Sequence, residues 1–358
     1  MSKVTYLLGA GASYGTRRVD EKGRTYFLRG LPVLSEMESA IDSLIPKNSS
    51  GKGDASQIRI PNVQMNELYK YEYLVRALEE LKEMCASYPT IDALARQLYV
   101  TKRSYKTSFE NRIYYEDLKR ILSVALLMLQ SHQKRDLRYD GFIASIIDDH
   151  GQLPPMTILS WNYDAQFELA YSGYSEDRYI PNLWKELNVL NKTYPTEFDV
   201  KKAFAMIKLN GTAFFSDRKH LTKVNEKEVG SIRDCFFGEY KPQDKYQYGA
   251  EYANPGAFLH TTLSYAWESK NNDDFQQQIL QRIYNTETLI VIGYSFPYVN
   301  NDMDNYILTH MPGLRKVYIQ DPNYADVKER IETMIPKKPI SVEYEPKNDK
   351  QFFIPKEF

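Results

Sequence analysis

Val4-Thr5-Tyr6-Leu7-Leu8-Gly9-Ala10-Gly11-Ala12-Ser13 is a mostly apolar run that breaks into a glycine-rich turn. A run of this length, closed by a turn, reads as a buried strand. Its glycines remove Cβ atoms where a ligand would approach, and the exposed N–H groups of such a turn suit an anion. In an open α/β sheet this is where a phosphate-bearing nucleotide is received. Short glycine turns after strands also occur without any ligand, so the meaning of this one depends on the rest of the chain.

Later segments repeat the pattern of an apolar run ending in polar or glycine residues. Residues 156–161 run into Asn162-Tyr163-Asp164 and a helix over 165–171. Residues 204–209 end at Asn210-Gly211-Thr212, and residues 288–292 end at Gly293-Tyr294-Ser295-Phe296-Pro297. Residues 316–320 end at Asp321-Pro322-Asn323, before a last helix and strand. Helical spacing over 274–284 and 303–310 falls between these strands. Alternating strands and helices predict an α/β fold, a Rossmann-like parallel sheet with helices on both faces.

Between the first strand and the second lies a different pattern. Ser35 and Glu38 have the spacing of a capping box at the start of a helix. Residues 46–60, with Asn48-Ser49-Ser50-Gly51-Lys52-Gly53, read as a mobile loop. Residues 63–150 read as helical throughout, with Leu74, Leu78 and Leu81, then Leu118, Leu122 and Leu126, on threes and fours. The expected organisation is therefore a sheet domain of 1–34 and 151–358 around a helical insert of 35–150. Residues 216–256 read as loop.

Composition narrows the function classes. Of 358 residues, 42% are apolar, enough for about two structural units. Lys plus Arg is 46 against 47 Asp plus Glu, a balance that gives no electrostatic reason for direct nucleic-acid binding or for an anionic membrane. Only two cysteines, Cys85 and Cys235, are present, so neither a disulfide framework nor a four-cysteine zinc module is available. No metal site is expected. The longest apolar stretch, 121–129, is far short of the roughly 20 residues of a membrane span. The N-terminal run flows into the glycine turn rather than a cleavage site. The expected location is the cytoplasm. The 29 tyrosines suit large, partly wet interfaces, or reflect compositional bias alone.

In a parallel sheet the strand C-terminal ends line one crevice, which brings these distant turns together. Taken in order, Gly9-Ala10-Gly11-Ala12-Ser13, Ser160-Trp161-Asn162-Tyr163-Asp164, Lys208-Leu209-Asn210-Gly211 and Ile292-Gly293-Tyr294-Ser295-Phe296-Pro297, followed by Asn300 and Asp304, resemble the motifs of sirtuin-like NAD-binding domains. The branch most similar is that of bacterial antiphage-defence proteins. The 35–150 segment carries none of these motifs.

The resemblance implies that the chain is an NAD⁺ hydrolase releasing nicotinamide and ADP-ribose, with NAD⁺ as substrate and no zinc. It implies that Gly9, Gly11 and the N–H groups around Ser13 cradle the pyrophosphate, and that Ala10, Ala12, Gly211 and Gly293 also belong to the cofactor-binding set. Asn162 would bond the nicotinamide ribose or position the attacking water, and Asp164 would accept from the nicotinamide carboxamide. Ser295 would meet phosphate or ribose, and Asp321 and Asn323 the adenosine end. Each has a plainer alternative: Asn162 and Asp164 suit an Asx turn and helix cap, Ser295 a turn, Asp304 a helix start, and Asp321 another turn. Asn210 stands where the family has histidine, and an asparagine takes up no proton near neutral pH. Three explanations stand: the branch needs no base there, a histidine elsewhere such as His220 or His260 enters the site, or the residue marks a weakened or engineered enzyme; His132, His150 and His310 read as helix-end or surface residues. A hydrolase of this kind needs restraint, so a homo-oligomer or a restraining or activating protein partner is expected. An ATPase or a nucleic-acid-sensing partner fits the family. The alternative is a non-catalytic sensor of NAD⁺ or ADP-ribose. A dehydrogenase fits less well, because the third glycine of G-x-G-x-x-G is Tyr14.

Overall fold

Seven strands form one sheet in which every neighbouring pair is parallel. They are β1 (Val4–Leu8), β2 (Thr157–Ser160), β3 (Val189–Asn191), β4 (Ala205–Lys208), β5 (Thr288–Ile292), β6 (Lys316–Gln320) and β7 (Ser341–Tyr344). The order is β7-β6-β5-β1-β2-β4-β3. This is a computed structural model, and it describes residues 3–21, 25–45, 68–177, 179–194, 196–216, 260–271, 273–336, 339–344 and 351–356. The 46–60 loop, Cys235 and His220 lie outside the described residues, as does the side chain of His260.

Ten α-helices are described: α1 (Met37–Leu44), α2 (Leu68–Ser87), α3 (Ile91–Thr101), α4 (Tyr115–His132), α5 (Leu137–Ile146), α6 (Gln166–Tyr171), α7 (Ile180–Glu186), α8 (Asp273–Ile283), α9 (Asn301–Thr309) and α10 (Tyr324–Met334). None is long and apolar enough to cross a membrane. The chain divides into two compact units. One is Met1–Leu31, Lys134–Thr212 and Ser264–Phe358; the other is Pro32–Gln133 and Ala213–Leu263.

The first unit holds the sheet. Successive strand residues face opposite sides, so Leu7, Leu159, Ile207, Val291 and Ile319 share one face, packed with Ile279 of α8, Ile307 of α9 and Ile331 of α10. Tyr6 faces the other side, with its ring 5.1 Å from Phe142 of α5. The 351–356 segment closes part of that face. Phe352 packs on Tyr139 and Phe142, and Gln320 exchanges hydrogen bonds with Gln351 O and Phe353 N, each 3.0 Å. At the other edge, the fully buried Arg282 of α8 donates to Met156 O, Lys202 O, Val200 O and Ala203 O, joining the entries to β2 and β4.

The second unit is built on α1–α4, with Leu78, Leu81, Leu94, Leu118 and Leu122 in its core. A short hairpin, Tyr105–Lys106 with Arg112–Ile113, interrupts the helices. This corrects the reading of 63–150 as helical throughout, since two-residue strands carry no period to detect. The carboxylate of Glu80 on α2, buried completely, holds the hairpin loop through Thr107 and Asn111. The N-terminal box also shifts: Glu36, not Glu38, closes the helix entry by accepting from Val33 N–H at 3.1 Å.

Candidate functional site

Register aligns the strand ends. Leu8 pairs with Ser160 and Ile292, Ser160 with Lys208, and Ile292 with Gln320. The five polar turns therefore leave the sheet at one level. From β1 the connections run first toward β2 and β3, then cross back to β5 and outward to β7. The reversal lies at β1 and β5, the position at which open α/β sheets take ligands.

There the two glycine turns are fastened to each other. Gly9 N–H donates to Ile292 O at 3.0 Å and Gly11 N–H to Gly293 O at 2.9 Å, while Ala12 N–H closes on Gly9 O. A Cβ on Gly9 would stand 2.5 Å from Gly293 O, and one on Gly11 2.7 Å from Gly293 Cα. Gly293 has φ +59°, and its Cβ would meet Ala12 N. These glycines thus serve backbone-to-backbone approach, and the turn has fewer N–H groups to offer an anion than its sequence suggests.

Ser13 joins the first turn to the second. Its hydroxyl accepts from Asn162 Nδ2 at 3.0 Å and lies 2.9 Å from the Tyr139 hydroxyl. Burial raises the Asp164 pKa; Lys208, the Gln166 N–H and Ser13 pull it back. Asp164 Oδ1 also accepts from Gln166 N–H at 3.0 Å, so the Asx turn at the entry to α6 is present. The carbonyls of Gly11 and Ala12 accept from Arg138 Nη2 on α5. Arg138 is ion-paired to Asp136, which also accepts from Gly15 N–H at 2.8 Å. Gln166 completes the clamp, bonding Ser13 O and Asp136 N–H.

Asn210 is buried beside this network. Its Nδ2 donates to Trp161 O at 3.2 Å, while its Oδ1 has no partner. Gly211 follows with φ +63° and turns the chain out of β4. Lys208 is buried at the strand end, donating to Asp164 O at 2.5 Å and pairing with Glu168 at 3.3 Å. Next to Asn210, Ser264 N–H bonds Asn210 O, and the Ser264 hydroxyl links Lys192 and Glu268.

The β5 turn is held from α10. Arg330 donates to Ser295 O and Phe296 O, both at 2.8 Å. Ser295 itself is exposed, and Phe296 is buried with φ +51°, a strained backbone for a side chain of that size. Tyr294 is buried and stacks on Trp161, the ring centroids 5.6 Å apart. Its hydroxyl donates to Asp304 Oδ2 at 2.8 Å and accepts from Asn300 Nδ2. Burial pushes the Asp304 carboxyl well above the ordinary carboxylate range; Tyr294 and Trp161 act the other way. After β6, Asp321 accepts from Asn323 N–H in an Asx turn, and Asn323 is exposed at the start of α10.

The sequence-derived residues thus form two groups. Gly9 to Ser13, Asn162, Asp164, Asn210 and Gly293 meet in one hydrogen-bonded set. Ser295, Asp321 and Asn323 stay in their own turns. His150 and His310 are exposed. Arg138, Asp136, Tyr139, Gln166 and Arg330 were missed, and nothing local marks them. Lys208 carried a signal, a lone cation at the end of the apolar run Ala205-Met206-Ile207. Among the described residues no cluster of three His, Cys, Asp or Glu is placed to hold a metal. Neither a protein-family model nor a curated protein matches the chain.

Proposed function

We propose that the chain is a sirtuin-like NAD⁺ hydrolase, yielding nicotinamide and ADP-ribose, and that it acts as an effector of bacterial antiphage defence. The observation that carries this reading is the buried set at the β1/β5 reversal, Ser13 with Asn162 and Asp164, beside an Asn210 whose Oδ1 lacks a partner. An unpartnered buried acceptor is costly and suits a ligand hydroxyl. In hydrolysis the C1′–N bond breaks, its electron pair leaves with nicotinamide, and water adds at C1′ and gives up one proton to solvent. Nicotinamide leaves as a neutral molecule, so orientation and electrostatic stabilisation outweigh the need for a strong base. Ser13 fixes the Asn162 amide for the ribose or the water, and Trp161 O fixes Asn210 so that Oδ1 is the acceptor toward a ribose hydroxyl. Restraint by a homo-oligomer or a partner chain belongs to the same proposal.

One observation favours a second reading, a sensor that binds NAD⁺ or ADP-ribose without cleaving it. The Asp164 carboxyl already accepts from the Gln166 N–H, and Asn210 cannot take up a proton. Incubation with NAD⁺ followed by nucleotide chromatography separates the two. The hydrolase releases nicotinamide and ADP-ribose in step, and Asn162→Ala lowers the rate by about a hundredfold or more with binding retained. Tight binding with no release sinks the hydrolase.

A further inference from the structure

The segment 351–356 has no regular structure, yet its Phe352 is only 2% exposed. Side chains of the sheet stand in for a neighbouring strand. Gln320 Nε2 donates to Gln351 O, Gln320 Oε1 accepts from Phe353 N–H, and the Tyr6 hydroxyl donates to Phe353 O at 3.1 Å. Gln320 and Tyr6 are buried, so departure of the segment would strip buried polar atoms of these partners, which is costly. The segment is thereby fixed in one register, and it delivers the Phe352 ring to α5. There the ring meets the two residues that hold the glycine turn. Its centroid lies 5.0 Å from that of Tyr139 at an interplanar angle of 89°, and the Arg138 guanidinium stands over it at 5.2 Å. Tyr139 also meets Phe167 edge to face at 6.1 Å. Two such contacts fix the plane of the Tyr139 ring, whose hydroxyl lies 2.9 Å from Ser13 Oγ. Arg138 Nη2 bonds Gly11 O and Ala12 O. Gln320 adds a second link, because its backbone carbonyl accepts from Gly293 N–H at 3.1 Å and Gly293 packs on Gly11.

We infer that Phe352 is a positioning residue for the site at the β1/β5 reversal. It acts through Tyr139 and Arg138, and so sets where Ser13 and the Gly11–Ala12 backbone stand when a nucleotide binds. This rests on the hydrolase or sensor reading above and adds to it a residue from outside every strand-end turn. Ser13 accepts from the Asn162 amide, so a tilt of the Tyr139 ring passes on to the group that would meet the ribose or the water. Phe352→Ala removes the ring and leaves a space into which Tyr139 and Arg138 can shift. A misplacement of about 1 Å at a positioned group costs a large part of a rate. Phe352 touches no reacting atom, and its whole contribution is orientation.

Hydrogen exchange of the full chain reads the positioning without any ligand. Phe352→Ala speeds exchange of the Gly11 and Ala12 amides by about tenfold relative to the Ile207 amide in β4. Nicotinamide release at saturating NAD⁺ falls by about tenfold. Tyr139→Phe keeps a ring against Phe352 and removes the hydroxyl from Ser13, and it slows release by a similar factor. Both changes act along one path, so the double variant loses less than the product of the single losses, whereas independent support of the fold gives the full product. Exchange that rises equally at Ile207, an unaltered rate in Phe352→Ala, or losses that multiply overturns the inference. If Phe352→Ala does not fold, Phe352→Leu takes its place; it keeps apolar bulk without the ring, and the same outcomes decide. In a chain that binds NAD⁺ without cleaving it, ADP-ribose affinity is read in place of the rate. The two readings fail separately. A wild-type chain that releases no nicotinamide removes the hydrolase and leaves exchange and affinity to judge Phe352; normal release by Phe352→Ala removes the positioning role alone.

Discussion

Asp304 shows how one buried group ties the site to pH. Its folded-state pKa lies above the ordinary value of 3.8, chiefly through burial. Between the two values the native state binds more protons than the unfolded chain, so stability falls as pH rises through that window. The contribution is complete below 3.8 and is lost as pH passes the raised value. Asparagine has no proton to lose and keeps an acceptor for the Tyr294 hydroxyl. Asp304→Asn should therefore match the wild type near pH 4 and become progressively more stable than it toward about pH 8. Urea midpoints across that range measure the gap; a gap that stays constant or closes with pH would show that the carboxyl ionises freely in the native state. The sequence placed Asp304 at a helix start but had no means of showing that Tyr294 and Asn300 surround it. Local chemistry is legible at a turn, whereas burial depends on segments that arrive from elsewhere.

At the scale of elements, β1, β2, β4, β5 and β6 were legible because strands covered on both faces read as apolar runs. β3 was not: Val189–Asn191 is three residues long, too short for a pattern. Nor was the hairpin of Thr16–Val19 with Thr25–Arg29. The convergence of turns followed from parallel strands, but the contribution of α5 did not, since Arg138 and Tyr139 act across more than a hundred residues. The joint between β4 and α6 is the sharpest case of such long-range dependence. Lys208 and Glu168 are 1% and 0% exposed in their side chains. Trp184 Nε1 donates to the same Glu168 oxygen at 3.1 Å, and the other oxygen has no partner. Lys208→Met strands a buried carboxylate and should cost about 3–5 kcal/mol. Adding Glu168→Gln removes the charge and should restore more than half of that loss. Denaturation of both single variants and the double variant measures the coupling; strictly additive losses would mean that the two side chains do not act as a pair.

The whole first unit depends on β1, which sits at the middle of the sheet between strands that begin at Thr157 and Thr288. All five of its residues are buried. Both neighbours come from far along the chain, so loop closure must precede pairing, and folding of this unit should be slow relative to a helical domain. The glycine turn has the same dependence, because Gly9 and Gly11 find their acceptors only on Ile292 and Gly293. A chain ending at Ile283 retains β1 to β4 yet leaves one apolar edge of β1 open and those two N–H groups unpaired. Exposed apolar edges pair with other chains. Such a fragment should aggregate, and hydrogen exchange should find the amides of Tyr6, Leu7 and Leu8 unprotected, whereas in the full chain they rank among the slowest to exchange. A monomeric fragment with a protected β1 would show that β2 alone supports the central strand. The close packing of Gly9 and Gly11 against Gly293 would then no longer be what the sheet needs to form.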